Sequence, residues 1–155
     1  MANSVTTQIL ANTDRKLVIQ RVMVSDGTEE TKAVMVDISD SAYNSSGGKA
    51  MTGVAVEQIS ATTQANVNGA AAVRIGWDAT NLYPFAHLGT SYGYPSAYTL
   101  FTGSSEWGGI TKDNITIDAG TGAGSGTPTG DIAMTTTDFD AGEMYVVQIV
   151  MRKIF

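Results

Sequence analysis

The stretch "RKLVIQRVMVSDGTEETKAVMVDIS", residues 15–39, restricts the possible folds more than any other part of the chain. An apolar run over 17–24 reaches the turn pair Asp26-Gly27, and a clear alternation follows. Lys32, Val34, Val36 and Ile38 share one face, and Thr31, Ala33, Met35 and Asp37 share the other. Two-residue periodicity on the far side of an Asp-Gly signal predicts a β-hairpin made of these two arms.

The same grammar runs through the rest of the chain. After the loop "SAYNSSGGKAM", the segments "TGVAVEQISATT" and "GAAAVRIGWDA" read as two strands separated by the polar "TQANVN". In the second, Val73, Ile75 and Trp77 fall on one face, which predicts Trp77 as a core residue; Arg74 and Asp78 fall on the other. "ITID", "GDIAMTTT" and "EMYVVQIVMRKIF" follow, the last apolar enough to predict a central strand. Seven to nine such strands and almost no helical periodicity predict an all-β fold, a single-domain antiparallel β-sandwich or jelly roll spanning 1–155.

A chain of 155 residues buries roughly 70% of the surface its unfolded form exposes, enough for a full core. It has no cysteine, so neither disulfides nor thiolate-bound metal can hold it together. Charged residues are only 15% of the total, well below the usual quarter. A surface so rich in Thr, Ser, Asn and Gly suits a molecule fixed in an assembly better than one that must repel its neighbours. The net charge of −6 and the scattered Lys and Arg argue against nucleic acid as a partner. The opening "MANSVTTQIL" lacks a basic region followed by an apolar run, and no segment is long and apolar enough for a membrane-spanning helix, so a soluble, uncleaved protein is expected.

Catalytic signals are weak throughout. His87 is the only histidine, too few for the usual metal cluster, and a catalytic His87 would need a placed nucleophile and an orienting acid such as Asp78. A loop or interface histidine is the plainer expectation. Asp118, Asp131, Asp138, Asp140 and Glu143 are gathered where no Lys or Arg intervenes and could hold calcium, but "DFDAGE" misplaces the glycine of an EF-hand loop and lacks its distal Glu. A solvated turn between strands explains these acids more simply, and a glycosidase pair cannot be read from spacing. "GTGAGSG", within the Gly-rich loop 118–131, precedes a strand rather than the helix a phosphate-binding loop requires, and Gly48-Lys49 in "SSGGKAMT" lacks the earlier glycine and the following Ser or Thr. Asn44 and Asn114 match glycosylation sequons that matter only in a eukaryotic secretory pathway. The expectation is no catalytic residue, no cofactor and no metal, and therefore not an enzyme.

Residues 79–105 contain no Lys, Arg, Asp or Glu and hold six of the twelve aromatic residues: Tyr83, Phe85, Tyr92, Tyr94, Tyr98 and Phe101. Pro84, Gly89, Gly93 and Pro95 interrupt the segment, which predicts an irregular insertion. Tyrosine offers broad apolar area, few rotors and a hydroxyl for a rim partner, as interfaces require. These six, with Trp107 beside "WGGIT", are the candidate interface residues. The same aromatics could instead close an open end of the protein's own sandwich, and the two roles can coexist.

The order of "VRIGWDAT", "WGGIT", a Gly-rich loop, "TGDIAMTTT" and "DAGEMYVVQIVMRK", with the early "VSDGTEETKAVMVDIS", resembles small virion structural proteins of tailed bacteriophages. The aromatic insertion is longer and richer in tyrosine than that pattern. The resemblance implies a non-enzymatic component made in the host cytoplasm and mounted on the capsid surface, foremost a decoration (cement) protein. Its implied partners are the major capsid protein and sister subunits in a homo-oligomer. A neck, tail or fibre component is the alternative, and a carbohydrate-binding β-sandwich module with Trp107 or the tyrosines as stacking platforms is the second.

Overall fold

A computed structural model of the chain describes residues 2–64, 71–89, 96–101, 109–113 and 126–155. It is all-β. The strands are β1 (Ser4–Asn12), β2 (Lys16–Val24), β3 (Ala33–Val36), β4 (Gly53–Gln64), β5 (Ala72–Trp77), β6 (Tyr83–Gly89), β7 (Ser96–Phe101), β8 (Ile132–Thr137) and β9 (Met144–Ile154), with one 3-10 turn at Ser41–Tyr43. Five strands form one antiparallel sheet in the order β1-β2-β9-β4-β7, and four form the other in the order β3-β8-β5-β6.

The core lies between the two sheets, and β2 and β9 contribute to it by strict alternation. Leu17, Ile19 and Met23 of β2 and Tyr145, Val147, Ile149 and Met151 of β9 are buried beside Ile59 and Ala61 of β4. Against them pack Val73, Ile75 and Trp77 of β5 with Ile132 and Met134 of β8. Trp77 is fully buried, as its place in the alternation predicts, and β9 lies at the centre of its sheet.

The predicted hairpin does not form. Both edges of β2 are occupied, one by β1 and the other by β9, so the arm after Asp26-Gly27 has no place to pair. Gly27 does turn the chain, at φ +96°, but residues 28–32 cross to the other sheet, where Glu30 hydrogen-bonds Thr136 and β3 pairs with β8. The expected two-face alternation also breaks, because a bulge between Val34 and Val36 turns both Met35 and Val36 inward and leaves Val34 exposed.

Parts of the segment 79–105 are regular where an irregular insertion was expected: they supply one edge strand of each sheet, β6 and β7, while residues 90–95 and 102–105 lie outside the described residues. Pro84 is accommodated because β6 is an edge and the ladder shifts register between Ile75 and Gly76. In the Gly-rich loop, residues 118–125 lie outside the described residues, as does Asn114. The far end of that loop is fastened rather than free: Thr129 donates its backbone N–H to the Asp78 carbonyl at 2.9 Å.

Candidate interaction surface

The candidate interface residues separate into two groups. Tyr83 and Phe85 are half-buried and pack against the core; the Phe85 ring lies 5.1 Å from that of Trp77 at a 53° tilt, and the Tyr83 hydroxyl donates to the Gly126 carbonyl at 2.8 Å. Their surfaces are thus already engaged within the chain. Tyr98 and Phe101 stand on β7 in register with Ala61 and Gln58. Tyr92, Tyr94 and Trp107 lie outside the described residues.

His87 is exposed on β6 opposite Arg74, not in a loop. Asp78 lies four residues along the ladder from Arg74, on the order of 13 Å away at strand rise, and its carboxylate faces the Lys32 ammonium at 3.3 Å. His87 and Asp78 therefore do not form a catalytic pair. Of the gathered acids, Asp131 accepts the Ile38 N–H at 2.9 Å and Glu143 accepts the Asp140 N–H at 2.8 Å, while Asp118 lies outside the described residues. Among the described residues no three His, Cys, Asp or Glu side chains come together to hold a metal.

The surface with the most unusual chemistry is the outward face of the five-stranded sheet. Where β2 and β9 send Leu17, Ile19, Tyr145 and Ile149 inward, they send Val18, Val22, Val24, Met144, Val146 and Val150 outward. These pair directly across the ladder, Val18 with Val150, Val22 with Val146 and Val24 with Met144, with Gln20 facing Gln148 between them. The β4 residues alongside are Gln58, Ser60, Thr62 and Gln64. Charge is confined to one end, where Glu57 contacts Lys16 at 3.1 Å and Arg152 at 4.0 Å. A sheet face that borders water normally alternates apolar inside with polar outside, and here the β2–β9 ladder places valines outside as well, interrupted by the Gln20–Gln148 pair and bordered by the polar row of β4.

The edge strand β1 carries a second exposed apolar group, on the other side of the same sheet. Every residue of β1 except Ala11 is exposed, and its large apolar side chains Val5, Ile9 and Leu10 keep 39%, 48% and 49% of their accessible area. Val5, Thr7 and Ile9 pair with Met23, Arg21 and Ile19, so they lie on the core-facing side of the sheet, beyond the cover of the smaller sheet. Both ends of β1 are tied down. Asn3 donates to the Thr28 carbonyl and accepts from the Asp26 N–H, at 3.0 and 2.9 Å. Asn12 donates to the Ala42 carbonyl at 2.7 Å and receives the ammonium of buried Lys153, whose pKa burial pulls down and the charge of Asp14 partly restores.

Sequence reasoning passed over β1, although the β-branched, charge-free "SVTTQI" was a strand signal. It also read 17–24 as an apolar run without asking what covers its second face.

Comparison with protein-family models gives no match, and neither does comparison with characterised proteins. Among solved structures the chain is similar to one described as "Bacillus endospore appendages form a novel family of disulfide-linked pili", at a TM-score of 0.41 and 8% identity, over 100% of this chain and 92% of the other. A likeness at that score carries no argument about this chain.

Proposed function

We propose that the protein is a structural subunit of a tailed-phage virion, and foremost a capsid decoration protein that binds the assembled shell. The observation that carries the structural part of this reading is the outward face of the five-stranded sheet. Val18, Val22, Val146 and Val150 form an uncharged apolar ladder, of the kind that marks a protein contact rather than a solvated face. The order of sequence motifs supplies the virion part. A subunit that binds only the assembled shell stabilises it by mass action, and the gain recurs at every lattice position. The shell and sister subunits are the partners in this reading, and no reacting group is required of the chain.

Quantitative mass spectrometry of purified virions tests it. An abundance comparable to that of the major shell protein is the expected result. A copy number suited to one ring or fibre would move the protein to the neck or tail, and its absence from the particle would overturn the reading. Calcium-dependent binding to a glycan array would favour a carbohydrate-binding module instead.

A further inference from the structure

Among the described residues no strand pairs with the outer edge of β1, and this edge is unusual in three respects. It is long, nine residues from Ser4 to Asn12. It is held straight at both ends by Asn3 and Asn12 rather than frayed. Residues 2–13 contain no charge and no proline, two of the devices that protect an edge strand, and the bulge between Ile9 and Ala11 leaves the stretch Val5–Ile9 in unbroken register. A row of unpaired backbone donors and acceptors in this state is a template for another strand.

The sequence of β1 indicates which strand that is. Val5-Thr6-Thr7-Gln8-Ile9 reads the same in chemical character in both directions: β-branched apolar, polar, threonine, polar, β-branched apolar. Antiparallel pairing of two copies about Thr7 therefore sets Thr7 against Thr7, Val5 against Ile9 and Thr6 against Gln8. A Thr–Thr pair can hydrogen-bond across a ladder, and the other pairs keep apolar against apolar and polar against polar. Val5, Thr7 and Ile9 share the face that the smaller sheet leaves uncovered, so the pairing brings four exposed apolar side chains together around the two threonines. Charge agrees with this choice. Two copies each carrying −6 repel, and a charge-free strand is where they can approach.

We propose that β1 is a homotypic interface, through which two copies join their five-stranded sheets into one continuous antiparallel sheet by twofold pairing centred on Thr7. An isologous contact of this kind closes on itself and yields a dimer rather than a filament. The inference does not rest on the virion reading, because it concerns the isolated protein.

Sedimentation velocity on the purified full chain is expected to show a dimer. Thr7→Lys and Thr7→Glu, at an exposed site, should each keep the circular dichroism spectrum of the wild type and weaken dimerisation at least roughly tenfold, because like charges then meet across the ladder. Mixing the two variants should restore the dimer, since the introduced ammonium then faces the introduced carboxylate. The absence of native cysteine permits an independent check. Directly opposed residues lie about 4.5–5.5 Å apart at Cα, within disulfide reach, so Thr7→Cys should oxidise to a covalent dimer. Ile9→Cys, facing Val5 of the other copy, should not.

A wild type that stays monomeric at about 1 mM would overturn the proposal. So would a dimer that survives Thr7→Lys, which would move the contact away from β1, or variants that fail to rescue each other, which would mean that the two Thr7 residues do not face each other. None of these results bears on abundance in the virion.

Discussion

Arg21 and Glu30 form an ion pair inside the protein, 2.5 Å from Nη2 to Oε1, and the second carboxylate oxygen accepts the Tyr145 hydroxyl at 2.5 Å. Arg21 Nε donates to the same hydroxyl oxygen at 3.0 Å, so the three side chains close a ring. The ring joins β2 and β9 to residues 28–32, and Glu30 also accepts the Thr136 N–H through its backbone carbonyl at 3.0 Å, reaching β8. It thus fastens the crossing that carries the chain from one sheet to the other.

Glu30→Gln should be the more damaging change to this ring. It leaves the Arg21 guanidinium buried without a carboxylate, a loss of about 3–5 kcal/mol. Tyr145→Phe keeps the ion pair and removes only the bridging hydroxyl, for about 1–3 kcal/mol. Urea titrations of the two variants should give that ranking, and equal losses would mean that the ion pair is no more than a packing contact.

Alkaline pH should weaken the fold. Burial, with the Glu30 carboxylate beside it, pushes the Tyr145 phenol well above its ordinary range, and burial with Asp40 and Asp37 nearby also raises Tyr43. The unfolded chain releases these protons near pH 10 and the folded chain holds them longer. Their contribution is therefore complete below about pH 10 and is lost as pH rises through the folded values. Thermal unfolding followed from about pH 8 to about pH 11.5 should show a falling midpoint, with a shallower fall in Tyr145→Phe.

Gly76 and Gly89 lie on paired strands yet should respond oppositely to alanine. A Cβ on Gly76 would collide with the Tyr83 carbonyl oxygen and sit 2.7 Å from the Pro84 Cα, backbone atoms that cannot step aside. Gly76→Ala should cost about 1–3 kcal/mol or more and displace β6 from β5. A Cβ on Gly89 meets nothing within 4 Å, so Gly89→Ala should stay within about 0.5 kcal/mol of the wild type or gain slightly. Thermal midpoints with near-ultraviolet dichroism, sensitive to the Trp77–Phe85 contact, would separate the two.

Local patterns carried much of this fold, and partnership between strands did not. The alternation through Val73, Ile75 and Trp77 and the apolar density of β9 depend on neighbours in sequence, and both were legible. The pairing of β2 depends on what fills its edges, and those partners lie at the two ends of the chain. Nothing adjacent in sequence marks Glu30 for burial, which follows from Arg21 and Tyr145 meeting it from different strands. For the proposed β1 contact, aromatic content drew attention to Tyr83 and Phe85, which pack against the core, rather than to the plain residues Val5, Thr7 and Ile9. Pattern reading registers unusual residues more readily than an ordinary strand with no neighbour.

The place of β9 between β2 and β4 bears on how the protein is made. Ile19 and Ile59 both wait for Ile149, so the five-stranded sheet has a gap at its middle while the ribosome is still adding residues 144–154. Until then β2 and β4 present apolar rows with no shared neighbour, and the long-range pairing that joins them is slow to form. The five-stranded sheet is therefore expected to close only once β9 is available, and a product truncated before Met144 would be aggregation-prone rather than a smaller sandwich.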